Sequence, residues 1–346
     1  MTTAVKKTFF KLPDGREVSL YQLRLADGFG ADITDFGGCL TALYTPDRQG
    51  VLRDVVLGWR EPEAYLENPG YLGALVGRVP NRIGGGRFML NDQVYQLSLN
   101  DRDHSTLHGG NGFSHRLWTV ESFAADRLVL TLDSPDQDAG FPGNVRVRAV
   151  YALYEDHTLE LKFTIESDSF TVADLTNHTY FNLEGENTGV CDTHFITLNS
   201  DRVTETDEYL VPTGNLLKVD QTRFDLREGK SFRQILAETP GGFDDNFIIA
   251  EKDGIYQENA AVVYGKNSGI IMRIHTSRPG IQFYMGEYLE DSCGYSGKRC
   301  SYIRNGGFCL ETQCWPDAVN NPEFPQIHVA PGRPRHGMTR WQFGVI

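Results

Sequence analysis

The chain has no apolar run approaching the roughly 20 residues that a membrane-spanning helix needs. The apolar stretch behind the paired lysines of its opening, MTTAVKKTFFKLPDGR, is too short for a secretory signal. It also lacks a G-x-x-x-x-G-K-[ST] loop, a G-x-G-x-x-G fingerprint and an H-E-x-x-H pair, so nucleotide, dinucleotide and zinc-hydrolase chemistry lose their usual anchors. Cysteine is sparse, six in 346 residues, and no two form C-x-x-C. A reduced, cytoplasmic protein is the expectation. Basic character is missing too: 33 Lys plus Arg face 46 Asp plus Glu, a formal charge of −13. That balance disfavours nucleic acid and anionic membrane as partners, and a neutral small molecule is indifferent to it.

Helical periodicity is nearly absent. Phe232–Ala237 has the pattern of a turn or two of helix, and Pro316–Val319 would begin another with Pro at its first position. Strand signals dominate instead. Residues 127–132, 144–151, 158–165 and 270–275 place apolar side chains at every second position, the period of a sheet with one buried face. In the third of these Leu159, Leu161, Phe163 and Ile165 face inward, and Glu160, Lys162 and Thr164 face out. Turn signals such as Pro13-Asp14-Gly15, Pro142-Gly143-Asn144 and Lys252-Asp253-Gly254 separate the runs. The 36 glycines and 15 prolines suit many short strands. With 40% hydrophobic and 23% charged residues, no repeat and no linker, the chain reads as one continuous all-β domain over 1–346, a sandwich or barrel.

Four segments place functional groups in unusual company. In residues 77–86 two arginines and Asn81 stand among glycines and Pro80, which suggests a loop with close backbone approach or a structural turn with a salt bridge. His108 precedes a glycine-rich turn, where it would meet a ligand hydroxyl or cap a loop. Residues 175–183 alternate polar and aromatic side chains. Period 2 puts Thr176, His178, Tyr180 and Asn182 on one face, wasteful as core and sensible as a pocket lining, with a satisfied buried histidine as the plain alternative. Glu311 lies in an apolar and aromatic run, where a carboxylate is expected to be paired or functional. Residues 242–247 and 280–284 are smaller hints.

Thr-Asn-His-x-Tyr-Phe-Asn-Leu at 176–183 resembles the signature of the galactose mutarotase (aldose 1-epimerase) family. Asn-Arg-Ile at 81–83, Leu-His-Gly-Gly at 107–110, Gly-Phe-Asp at 242–244 and Leu-Glu-Thr-Gln at 310–313 are similar to its other motifs, in the same order. The resemblance runs from the N-terminal strands to Pro331-Gly332. It implies a large antiparallel β-sandwich, the supersandwich of that family, with very little helix. Its implied activity is interconversion of the α and β anomers of free aldoses such as galactose and glucose, without metal or organic cofactor, by a monomer or homodimer. One departure is Asp174, three residues before the asparagine of the signature, where the family has Asn or Ser.

Anomer interconversion needs a base at the C1 hydroxyl and an acid at the ring oxygen. By resemblance Glu311 is the base and His178 the acid, and Asn81, Arg82, His108, Tyr180, Asp244 and Gln282 hold the sugar. Such groups supply the mixed donors and acceptors that a polyol requires. The competing readings are a non-catalytic carbohydrate-binding sandwich and a glycoside hydrolase using Asp244 with Glu311. A hexose-phosphate epimerase would need a cationic site that Arg78 and Arg82 scarcely make. A metal held by His108, His178 and Asp244 has no local spacing motif. Arg333–His336 reads as a solvated tail, and Cys293, Lys298, Arg299 and Cys300 as an exposed loop.

Overall fold

The computed structural model describes residues 2–291 and 294–346. The alternating runs build a nine-stranded antiparallel sheet. Its order is Thr119–Ala124, Arg127–Ser134, Val145–Tyr154, Thr158–Ser167, Arg335–Val345, Ile270–Thr276, Gln257–Gly265, His194–Leu198 and Lys230–Ser231. Leu159, Leu161, Phe163 and Ile165 are buried as their period requires. Glu160 departs from expectation. It is buried as well, because Arg340, Lys162 and the hydroxyl of Tyr154 all reach its carboxylate. Of the expected solvated tail, Arg333, Pro334 and His336 are exposed, but Arg335 opens the long central strand and is buried.

A five-stranded sheet at the N-terminus, Thr3–Lys11 to Leu52–Asp54 in chain order, packs Leu23, Phe29, Ile33 and Leu43 into the same core as Leu130, Val147 and Leu161 of the large sheet. A second five-stranded sheet has the order Pro212–Lys218, Arg202–Thr206, Asp244–Ile248, Gly280–Tyr284, Cys309–Gln313. Its strands send Phe247, Ile281, Phe283 and Leu310 to that core and Asn246, Gln282 and Glu311 to the opposite face. Burying each large apolar side chain is worth about 1.5–3 kcal/mol, against about 1–3 for a buried polar atom without a partner. The apolar face thus anchors a sheet whose other face is polar.

Helix is confined to one α-helix, Phe232–Glu238, and short 3-10 turns among the described residues. Ser231 and Gln234 close a capping box at its start. Pro316–Val319 forms turns and no helix; Asp317 there takes a positive φ of 54°, which a right-handed helix does not admit. Five cysteines, Cys39, Cys191, Cys300, Cys309 and Cys314, are free thiols, and Cys293 lies outside the described residues. No described helix is long and apolar enough to cross a membrane.

Candidate active site

The loop of Asn81 and the loop of His108 are locked together. Arg82–Gly84 pairs with Ser105–Leu107, and beyond that ladder the His108 N–H donates to the Asn81 carbonyl at 2.9 Å. The Asn81 N–H in turn donates to His108 Nδ1 at 3.2 Å. Both residues hold φ values of 58° and 55°, in the left-handed region, as does Tyr71 at 58°. Three non-glycine residues so placed around one cavity mark backbone held in sparsely populated conformations by its surroundings. Gly109 permits the approach: a Cβ there would lie 2.4 Å from the backbone nitrogen of Arg78.

The 176–183 segment is only briefly a strand. Thr176 and Asn177 pair with Val76 and Leu75, and the chain then threads between Leu57, Gly73 and Phe308. His178 and Tyr180 reach the cavity, but Thr176 and Asn182 do not. Thr176 Oγ1 donates to the Thr312 carbonyl, and the Asn182 amide donates to the carbonyls of Gly189 and Gly306. The period-2 expectation thus holds for two of four side chains, because the ladder ends after two residues.

These elements enclose a cavity of about 460 Å³ lined by Asn81, Arg82, His108, His178, Tyr180, Asp244 and Glu311, with Tyr71, Asp101 and Tyr284. His178 Nε2 lies 3.6 Å from Glu311 Oε1, and both side chains are buried. On its other side His178 Nδ1 meets the Cys309 thiol at 3.5 Å. Gln282 is buried opposite Glu311 on the neighbouring strand and donates Nε2 to Asp244 Oδ1 at 2.7 Å. Arg82 is held by Asp101 at 2.7 Å and points Nη1 toward Asp244 at 3.8 Å. Arg78, its neighbour in the same motif, faces away and donates to the carbonyls of Pro142 and Ser134.

Burial sets the protonation of the pair. It pushes Glu311 well above the ordinary carboxyl range; Asp244 adds to the rise and Arg82 opposes it. His178 is pushed down to about 4 by burial. His108 is held well below the usual imidazole value by burial, then by His178 and Arg82. Burial thus disfavours the charged form of each member of the pair.

Of the metal-ligand trio considered from the sequence, His108 and His178 do cluster, with Glu311 in place of Asp244: one ligand atom of each lies within 4.8 Å of the others. A ligating imidazole normally donates its second ring N–H to an acceptor. His108 Nδ1 instead accepts a backbone N–H, which leaves its ring hydrogen on Nε2. That atom is a donor for a hydroxyl and offers no lone pair to a cation. The set fits a polyol better than a metal.

Residues 19–341 match the aldose 1-epimerase family. The chain is 39% identical to galactose mutarotase of Rattus norvegicus over 349 residues, covering the whole of both chains. It is 31% identical to aldose 1-epimerase of Escherichia coli, with 96% of each chain covered. The chain belongs to the aldose 1-epimerase family. Among solved structures, an aldose epimerase homologue from C. elegans superposes with a TM-score of 0.87 at 27% identity, covering 95% of this chain and 99% of that one. The family, the antiparallel β fold and the epimerase class expected from the motifs all hold.

Within this aldose 1-epimerase fold, Asp174 stands apart from the cavity. It is buried and accepts from Arg278, from Arg335 Nε at 3.1 Å and from the Cys314 N–H at 3.0 Å. Burial alone would raise its pKa, but Arg278 and Arg335 outweigh it and hold the carboxyl below the ordinary value. Lys298 and Arg299 likewise do more than face solvent: they pair with Asp54 and Glu186 at 2.5 Å. The motifs did not single out Tyr71, Asp101, Arg102 and Tyr288 as cavity residues, whereas Tyr284 ends the 280–284 hint. Only Tyr71 carried a local signal, the Pro69-Gly70 turn dipeptide before it. The others follow from strand register and loop packing.

Proposed function

We propose that the chain interconverts the α and β anomers of free aldoses, galactose and glucose foremost, with Glu311 as general base and His178 as general acid. The observation that carries this reading is the buried pair at 3.6 Å on the wall of a cavity of sugar-binding size. Ring opening takes the C1 hydroxyl proton onto Glu311 while His178 delivers a proton to the ring oxygen. The C1–C2 bond rotates, and closure on the other face returns both protons. Each group contributes roughly 10²–10⁴-fold by general acid–base catalysis.

Carboxylate with imidazolium opens the ring; neutral carboxyl with neutral imidazole is what remains beside the open-chain aldehyde. Ring closure then starts from Glu311 protonating the carbonyl oxygen and His178 accepting the proton of the C5 hydroxyl.

Asn81, Arg82, His108, Tyr180, Asp244 and Gln282 are proposed to hold the sugar. Asp101, Asp244 and Glu311 line the cavity against Arg82 and Arg102, and Arg82 is already paired with Asp101. A sugar phosphate would find Arg82 already engaged and Asp101 and Asp244 close by, so an unphosphorylated sugar suits the cavity better. The free thiols Cys39, Cys191, Cys300, Cys309 and Cys314 suit a reduced compartment, and we place the protein in the cytoplasm as a monomer or homodimer.

Polarimetry tests the reading. Freshly dissolved α-D-galactose and α-D-glucose should relax to their usual final rotation faster with the protein than without. No acceleration with either hexose or with a panel of pentoses would leave the cavity as a binding site.

A further inference from the structure

The face of the sheet that carries Glu311 continues beyond the cavity as a row of buried polar side chains. Gln282 stands opposite Glu311, and Asn246 opposite Gln282. The register of Val203 with Phe247 puts Thr204 beside Asn246. Four adjacent strands thus contribute Thr204, Asn246, Gln282 and Glu311 in line, with Gln313 one step along from Glu311 on the same face. All five are at least nine-tenths buried.

Almost nothing in the protein partners them. Thr204 Oγ1, both amide atoms of Asn246, Gln282 Oε1, Glu311 Oε2 and both amide atoms of Gln313 are buried without a hydrogen-bond partner from the chain. They make up seven of the twelve such atoms among the described residues. Native interiors leave few polar atoms in that condition, and ordered water usually completes those that side chains do not. Asn246 packs on Gly280, where a Cβ would lie 2.6 Å from Asn246 Oδ1 and 3.1 Å from Trp315 Cδ1, and Gln313 is the register partner of Gly280 on the next strand. The absence of a side chain at Gly280 keeps a polar meeting point behind the sheet's edge. Donors and acceptors are both present there, which is the mixture a bridging water needs.

We propose that Thr204, Asn246, Gln282 and Gln313 hold buried water that hydrogen-bonds the inner oxygen of Glu311 and solvates its carboxylate from behind. This rests on Glu311 acting as the base. A carboxylate sunk among apolar side chains resists ionisation, and donors to its charged form counter that resistance. The charged and titratable groups on its other sides are Arg82, His108, His178, Tyr180, Asp244 and Cys309. The row adds neutral polar side chains on the strands beside Glu311. Asn246, Gln313 and Thr204 are positioning residues in this scheme, since none lines the sugar cavity.

Asn246→Leu and Gln313→Met remove the donors with little change of volume, and Asn246→Ser keeps a hydroxyl and leaves room for water. The expected result in the two apolar variants is a fall in kcat of about tenfold, with the rising limb of the pH–rate profile moved up by about one unit. KM should stay within about twofold, and Asn246→Ser should lie near the parent. A purely structural role would move thermal stability and leave the pH limb in place. A high-resolution crystal structure of the parent should show ordered water bonded to Glu311 Oε2 and to the amides of Asn246 or Gln313. An unchanged pH limb in both apolar variants overturns the proposal, as does a dry row with the amides bonded only to each other. Glu311→Gln separates the two readings. If it is inactive while the apolar variants match the parent, only the row fails; if it keeps full activity, the base assignment fails first.

Discussion

Gln282 reaches diagonally across two adjacent strands and donates at 2.7 Å to Asp244 Oδ1, while the other carboxylate oxygen, Oδ2, looks toward Arg82. Asp244 is only part-buried, with 28% of its side chain exposed, so its position depends on this bond. Removing it as Asp244→Ala leaves Gln282 without its partner and the cavity without an acceptor for a sugar hydroxyl. KM should rise about tenfold, the worth of a strong hydrogen bond, with a smaller loss in kcat. Retained affinity for sugar, measured by initial-rate polarimetry, would count against the binding role.

Glu311→Gln keeps size and shape, His178→Asn keeps a polar amide in a smaller side chain, and neither new group can exchange the proton. Turnover should fall by roughly 10²–10⁴-fold in either variant, with circular dichroism and thermal midpoint close to the parent. Near-parental anomerisation in one of them would remove that residue from the mechanism.

Asp174→Ala should act on stability. It strips one of the two carboxylates that Arg278 and Arg335 share, leaving Asp253 as the other, and frees the Cys314 N–H. Breaking a buried ion cluster from one side costs about 3–5 kcal/mol, which denaturant unfolding would resolve. The surviving folded fraction should bind sugar with little change in KM, since Asp174 does not line the cavity.

His194 gives a pH test away from the site. It is fully buried, accepts the Leu183 N–H at Nε2 and faces the Cys191 carbonyl with Nδ1, and burial pushes it down to about 4 from 6.5. A folded-state pKa below the unfolded one means that the unfolded chain takes up the proton first as pH falls from 6.5 toward 4. The parent should therefore lose stability relative to His194→Gln, which cannot titrate, by about 2 kcal/mol between pH 7 and pH 5. A stability gap between the two that does not change with pH would show that His194 is protonated in the folded protein.

Much of this was legible from local pattern. The alternating runs of the large sheet fell where expected, and so did the single helix at Phe232–Glu238, whose Ser231 and Gln234 are a sequence-readable cap. The eight named site residues come together at one place: seven line the cavity, and Gln282 reaches it through Asp244. Errors arose where a charged residue was assumed to want water. Arg335 is buried because Asp174 neutralises it, and Glu160 because Arg340 joins the local Lys162 and Tyr154; no local window contains Asp174 or Arg340.

The sequence by itself determined the strand period, the turn positions and the residue types fit for acid–base work on a polyol, since each depends on neighbours a few positions apart. Tertiary structure alone decided that His178 meets Glu311 across 133 residues of chain, that Asp101 holds Arg82, and that Arg78 turns away. It alone lines Thr204, Asn246 and Gln282 behind Glu311. Those relationships follow from register between strands and from loop packing, and register is set by the burial of whole faces, which no single segment encodes.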